Sequence, residues 1–165
     1  MFRAGLVVAL LALLPTTALA RPVSQPEGWG IGLMLGSPTG INAKHWMGGA
    51  NAVDLGLGTG PGLRFHADYL FGLAQLASNE DLTLDFYLGG GAAVGVPGGS
   101  CWRGYYAKRF CGPDGYLGVR VPLGLDMRLR SAPIDLGLEA APGIWVGPEL
   151  TAGLWDVMLL VRVLL

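Results

Sequence analysis

The stretch that decides the fold is WDVMLLVRVLL, residues 155–165. Side chains of a β-strand alternate between its two faces. On that period, Trp155, Val157 and Leu159 share one face with later apolar residues, whereas Asp156 and Arg162 fall on the other. The segment therefore predicts a strand with one wholly apolar face and one face that carries charges.

The composition limits what such strands can build. Of 165 residues, 52% are hydrophobic and 14% are charged, and the mean hydropathy is +0.47. A typical soluble domain has about 25% charged residues. This apolar character argues against disorder, the length indicates one domain, and a formal net charge of −1 offers no basic surface for nucleic acid.

The N-terminus has the three parts of a secretory signal peptide: a basic start with Arg3, an apolar run from Ala4 to Leu14, and a small-residue end at Ala18-Leu19-Ala20. We expect a cleaved signal peptide over 1–20, a short segment over 21–27 and one domain over 28–165. No later stretch is long and apolar enough for a membrane helix. Because only helices and closed barrels can satisfy their backbone within a bilayer, a barrel is the remaining membrane structure.

Eight segments alternate in the same way, and eight is the smallest usual strand count of a bacterial outer-membrane barrel. The sequence predicts an all-β protein, an eight-stranded antiparallel up-and-down transmembrane β-barrel. Outward loops are expected at 37–40, 59–62, 97–115 and 142–150, and periplasmic turns at 48–51, 72–81 and 131–133, of which 72–81 is long enough for a short helical excursion. The predicted strands are 28–36, 41–47, 52–58, 63–71, 82–88, 119–130, 134–141 and 155–165.

The charged residues of these segments fall on the faces opposite the apolar ones. A soluble sandwich or lipocalin-like barrel would place its apolar faces inward instead, so a soluble periplasmic ligand-binding barrel stays open as an alternative. An eight-stranded barrel is only wide enough for side chains, so we expect an ionic network that plugs the lumen and prevents conduction. Its predicted members are Lys44, Asp54, Arg64, His66, Asp68, Asp85, Arg120, Asp126, Arg128, Asp135, Glu139, Asp156 and Arg162.

Several motifs resemble one family in the same order along most of the chain: GSPTGINAKHWM (36–47), NAVDLGL (51–57), HADYL (66–70), FYLGGG (86–91), GVRVPLGL (118–125) and APIDLGLEAAP (132–142). They resemble a family of small, functionally uncharacterised bacterial outer-membrane β-barrel proteins, similar in architecture to the OmpA membrane domain and OmpX. The resemblance implies a location in the cell outer membrane, contact with its lipid and lipopolysaccharide, and insertion by the barrel-assembly machinery. It implies no reaction and no cofactor. The chain differs from the family pattern in its terminal Leu165, where an aromatic residue is usual, and in its long 97–115 segment.

The predicted loop 97–115 contains both cysteines, Cys101 and Cys111. An exported protein meets an oxidising compartment, so we expect a disulfide, with free thiols or a metal site as the alternative. Aromatic and cationic residues between the cysteines suit lipopolysaccharide phosphates or another external ligand, although they could equally anchor the loop at the lipid headgroups. This candidate surface-binding loop comprises Trp102, Arg103, Tyr105, Tyr106, Lys108, Arg109 and Phe110.

His66 and Asp68 share one strand face, as in the base and orienting acid of a hydrolase. An acyl-transfer site also needs a nucleophile, and none of the serines lies mid-strand on the inner face. We therefore expect no enzyme activity and no catalytic, cofactor or metal site. The alternative is a lipid-modifying enzyme, like a lipid A deacylase or acyltransferase, since such enzymes share this barrel class. The serines considered are Ser24, Ser37, Ser78, Ser100 and Ser131.

Overall fold

The computed structural model describes residues 23, 25, 27–60, 62–97, 102–103, 109–110, 115–147 and 150–165. The predicted signal peptide and both cysteines lie outside these residues. Throughout the described parts, the regular secondary structure consists of β-strands. They are β1 Gly28–Ser37, β2 Thr39–Trp46, β3 Asn51–Thr59, β4 Gly62–Ser78, β5 Leu82–Pro97, β6 Trp102–Arg103, β7 Arg109–Phe110, β8 Tyr116–Arg120, β9 Leu123–Leu129, β10 Ile134–Gly147 and β11 Leu150–Leu164.

Nine of these strands form one antiparallel sheet that closes on itself. From β1 to β5, each strand pairs with its neighbour in the chain. β10 pairs with β11, and β11 pairs in turn with β1, from Gly30 opposite Leu164 to Ser37 opposite Val157. The predicted all-β, antiparallel, barrel-like fold is confirmed, and we call this closed sheet the barrel.

The nine strands occupy eight positions around the barrel, because β8 and β9 share one place. Both pair with β5 on one side and with β10 on the other. The single predicted strand 119–130 is therefore wrong: it is interrupted at Val121-Pro122. Pro122 has no backbone N–H to donate, but its carbonyl accepts from Gly89 at 2.7 Å, so the sheet stays joined across the interruption.

Two predicted connections are strand instead. The expected excursion at 72–81 continues β4 to Ser78, with register shifts between Gly72 and Ala74 and again between Gln75 and Ala77. The expected loop 142–150 is mostly hairpin, since β10 and β11 stay paired up to Gly147 opposite Leu150. Pro142 suggested a loop, yet its carbonyl accepts the Val121 N–H at 2.9 Å. Proline has no backbone N–H to donate, but it is compatible with a strand position at which only its carbonyl takes part in a hydrogen bond to the neighbouring strand.

The predicted loop 97–115 also contains regular structure. β6 and β7 form a separate two-stranded sheet, in which Trp102 is paired with Phe110 and Arg103 with Arg109. Strand β5 runs up to Pro97 and β8 begins at Tyr116, so this small sheet lies in the chain between two strands of the barrel wall.

The barrel wall is apolar outside and polar inside. Exposed fractions reach 65% at Trp155, 62% at Val119 and 57% at Ile41. Among the described residues, apolar packing inside forms two small clusters, one around Trp46 and Leu70 and the other around Met34, Met158 and Leu160.

No helix among the described residues has the length and hydropathy needed to cross a membrane.

Candidate functional site

The candidate site is the charged interior of the barrel, built by alternate residues of its strands. Twelve of the thirteen residues predicted for the interior are buried, and Arg128 is half-buried. Asn42, at 2% exposed, joins them. Strand alternation brings these side chains inward from most of the wall, and their contacts form two clusters, each centred on one arginine.

The first, which we call the Arg162 cluster, comprises Asn42, Lys44, Asp54, Asp126, Asp135 and Arg162. The Arg162 guanidinium donates to Asp135 at 2.7 Å, to Asp126 at 2.6 Å and to the Asn42 side chain at 3.0 Å. Lys44 forms an ion pair with Asp126. Asn42 also donates to Asp54 at 2.8 Å. One side chain of β11 thereby reaches β2, β9 and β10, so the cluster spans the interior.

The second, the Arg120 cluster, comprises Arg64, Asp68, Tyr87, Arg120, Glu139 and Asp156. Arg120 donates to Asp156 at 3.1 Å and forms an ion pair with Glu139. Arg64 donates to the other Asp156 oxygen at 2.6 Å. The Tyr87 hydroxyl donates to Glu139 at 2.8 Å. These contacts join β4, β5, β8, β10 and β11 from within.

The two remaining predicted residues lie beside these clusters. Asp85 accepts from Gln25 at 2.8 Å and from Gln75 at 3.3 Å. Backbone hydrogen bonds between Gln25 and Gly49 hold Gln25 in place there. The Arg128 guanidinium stacks over the Trp46 ring, 4.6 Å from its centroid, which is a cation–π geometry.

His66 lies between the two clusters. Its Nε2 is 3.7 Å from Asp54 of the Arg162 cluster and 3.9 Å from Asp68 of the Arg120 cluster. Both distances exceed hydrogen-bond length. Gly56 is the partner of His66 across β3 and β4, and a Cβ there would overlap the imidazole ring. A glycine at this position therefore leaves the space that the ring occupies.

His66 is enclosed in the charged interior, whereas the described serines lie at the margins of the wall strands: Ser37 and Ser78 end their strands and Ser131 is in a turn. His66 itself is 0% exposed. Several ion pairs connect strands that are not neighbours in the wall, such as Lys44 with Asp126 and Arg64 with Asp156, which helps to fix the shape of the barrel.

The candidate surface-binding loop is described only in part. Trp102 and Arg103 form β6, and Arg109 and Phe110 form β7. The other predicted members, Tyr105, Tyr106 and Lys108, lie outside the described residues, as do Cys101 and Cys111, so the predicted disulfide and binding surface stay predictions.

Comparison of the chain with protein-family models, curated proteins and solved structures finds no match. The resemblance to outer-membrane barrels thus stays a prediction that rests on the motifs.

Sequence reasoning missed the uncharged partners of the network. Asn42, Tyr87 and Gln75 all hydrogen-bond to buried carboxylates. Asn42 and Tyr87 share the strand faces of Lys44 and Asp85, so extending the inward set from charged to all polar side chains would have included them. Gln25 and Gln75 gave no such signal, because one precedes the first strand and the other lies in the register-shifted part of β4.

Proposed function

We propose that this protein is a small β-barrel of the bacterial outer membrane with a structural or surface-interaction role. Residues 1–20 would direct export, and the barrel would span the membrane with its interior closed by the ionic network. The proposed partners are membrane lipid, lipopolysaccharide and, during biogenesis, the barrel-assembly machinery.

The observation that carries this proposal is the inverted polarity of the wall. On β11, Asp156 and Arg162 are fully buried, whereas Val157 and Val163 are more than half exposed. Isolated exposed apolar residues are normal, but contiguous apolar surface marks a contact with a partner or a membrane. Neighbouring strands continue the pattern: Leu35 and Leu138 are both Cα partners of Leu159, and all three leucines are exposed. Lipid is the environment that covers such a surface on every side of a closed barrel.

The filled interior supports a role without conduction. Arg162 reaches four other strands, and Arg120 joins Asp156 to Glu139 across the interior. Opening a water-filled path would require these pairs to separate, and breaking a buried pair leaves an uncompensated charge. In a planar bilayer we expect no stable single-channel steps from the folded protein. Discrete, voltage-stable conductance would contradict the plug.

The loop between β5 and β8 is the proposed surface-interaction element, held by a Cys101–Cys111 disulfide. The pairing of Trp102 with Phe110 supports the bridge, because each is the chain neighbour of one cysteine. Paired residues of an antiparallel ladder have Cα separations of about 4.5–5.5 Å, which a disulfide can span. We expect thiol labelling of the exported protein only after reduction. Labelling without a reductant would contradict the bridge.

Localisation tests the central part of the proposal. The full chain, expressed in a Gram-negative host, should lose residues 1–20, partition with outer membranes and resist carbonate extraction. Unboiled samples should migrate differently from boiled ones, as folded barrels do. The matched control is Leu159→Ala, which keeps the face apolar and should behave alike. Recovery of folded protein in the periplasmic extract without detergent would favour the soluble ligand-binding barrel.

A further inference from the structure

Two buried side chains of the ionic network, His66 and Asp68, make no hydrogen bond to the described residues through their side-chain nitrogen or oxygen atoms. Both ring nitrogens of His66 and both carboxylate oxygens of Asp68 have no hydrogen-bond partner within the described structure. Arg120 Nε is 3.3 Å from Asp68, but it is not aligned to donate a hydrogen bond. Buried polar groups normally have a hydrogen-bond partner, and a group that lacks one is explained by strain, by a catalytic role or by a bound water or ion.

These atoms lie close to the carboxylate of Asp54, which itself accepts hydrogen bonds from Asn42 and Arg162. Asp54, His66 and Asp68 each offer one ligand atom, and these atoms all lie within 4.8 Å of one another. Neighbouring ligands of a tetrahedral zinc ion, with bonds of about 2.0–2.2 Å, are roughly 3.3–3.6 Å apart. The separations of 3.7 and 3.9 Å from His66 Nε2 to the two carboxylates are slightly larger. A small closure of the three side chains would therefore enclose an ion.

The charge of the interior points to a divalent cation. Among the described inward residues, seven carboxylates face five Lys and Arg side chains, which leaves two excess negative charges. The excess is divided equally: the Arg162 cluster and the Arg120 cluster each hold three carboxylates and two cations. Asp54 belongs to the first cluster and Asp68 to the second, so a dication between them would neutralise both.

We propose that Asp54, His66 and Asp68 bind one divalent transition-metal ion of the Zn²⁺ type, which joins the two ionic clusters inside the barrel. An imidazole with two carboxylates suits such ions, whereas Mg²⁺ and Ca²⁺ prefer oxygen ligands alone. The ion is structural: it stabilises the folded barrel by binding only where the three side chains of β3 and β4 meet. The inference depends on the interior contacts and not on the proposed membrane location.

Glycines make room for the site. Gly56 and Gly91 are the cross-strand partners of His66 and Asp68. A Cβ at Gly56 would overlap the His66 ring, and one at Gly91 would overlap the Asp68 carboxylate. The two ligands of β4 thus lie over positions without side chains, which sets how far inward they reach.

The experiment measures metal bound to the full chain. All three residues are buried, so the ion enters during folding; the protein is refolded with Zn²⁺ in excess Mg²⁺ and then exchanged into metal-free buffer. Mass spectrometry should find about one zinc per folded chain, and this ratio should fall at least tenfold in Asp68→Asn and His66→Gln. His45→Gln, the matched control, should keep its zinc, because His45 stacks on Trp29 outside the site. Cys101→Ser/Cys111→Ser should also keep it.

X-ray absorption of the wild-type protein covers the case in which the variants do not fold. A zinc edge with nitrogen and oxygen neighbours, including one imidazole, is the expected result. Wild-type protein that folds with less than about a tenth of a zinc per chain, or a spectrum with sulfur neighbours, would overturn the proposal. Neither result would change the expected location of the protein in the cell. Failure of the metal proposal can therefore be told apart from failure of the proposed membrane function.

Discussion

The inner and outer faces of strand β11 follow different rules although their residues alternate along the same strand. Inside, Arg162 is held by four side chains at specific distances. Outside, Val157 and Leu159 are exposed and need only be apolar. A buried charge depends on particular partners, whereas an apolar surface depends on its area. Substitutions should therefore act through residue identity on the inner face and through polarity on the outer face.

The largest effect is expected for Arg162→Ala. The change leaves Asp126 and Asp135 without their guanidinium, and breaking a buried pair from one side costs about 3–5 kcal/mol. Urea unfolding of the detergent-folded protein, followed by gel migration, measures the loss. Arg130→Ala is the control, since Arg130 is exposed, and it should unfold like the wild type. Equal midpoints for the two variants would show that the Arg162 cluster does not stabilise the barrel.

The next effect tests the outer face directly. Leu159→Arg places a charge on an exposed apolar position, where lipid should impose a cost of about 2–4 kcal/mol near the bilayer centre. The same variant in a soluble protein should be within about 0.5 kcal/mol of wild type, as exposed surface substitutions usually are. Folding into vesicles, followed by tryptophan fluorescence during urea unfolding, measures the difference. Leu159→Met is the control for side-chain volume, and an arginine variant as stable as the methionine variant would contradict lipid contact.

A smaller loss of stability is expected for Gly56→Ala, a substitution on the inner face of the barrel. The added methyl group overlaps the His66 ring, and overpacking of this kind costs about 1–3 kcal/mol. Gly90→Ala is the matched control, because a Cβ at Gly90 meets no atom within 4 Å. The urea midpoints of the two variants should differ. If both variants matched the wild type, the position of His66 over Gly56 would be wrong.

Tyr87→Phe should produce the smallest change. It removes the hydroxyl that donates to Glu139 but leaves Arg120 paired with that carboxylate. A hydrogen bond to a charged group contributes about 1.5–3 kcal/mol, and the retained ion pair places the expected loss at the lower end. The double variant Tyr87→Phe/Glu139→Gln supplies the thermodynamic cycle. Strict additivity of the two single changes would exclude the coupling that their contact predicts.

The sequence predicts well which face of a strand carries a given side chain, but it predicts poorly which side chains meet across the interior. The reason is physical. The two-residue period determines which way a side chain points, so each inward residue of β11 could be assigned from order alone. It does not determine which strands meet across the interior: Arg162 and Asn42 are 120 positions apart, and only ring closure brings them together. The Asp54–His66–Asp68 group was likewise missed, because Asp54 reaches the other two from a different strand.

The wrong predictions of strands and loops in the barrel wall came from proline and glycine residues. Pro142 and Gly143 suggested a loop, yet both are paired in the ladder with β11. Pro122 lies inside a segment that alternates throughout, and there the strand is interrupted. Local turn chemistry favours a break at each proline, but whether a break forms depends on the neighbouring strands that accept or replace its hydrogen bonds.

Environmental mapping of β11 tests the central claim most directly. In Cys101→Ser/Cys111→Ser protein folded into vesicles, single cysteines at Val157, Met158, Leu159 and Leu160 would carry nitroxide labels. We expect oxygen accessibility to be high at Val157 and Leu159, low at the two inward positions, and a polar nickel reagent to be excluded from all four. High accessibility of Val157 and Leu159 to the nickel reagent would place the outer face in water and contradict the account.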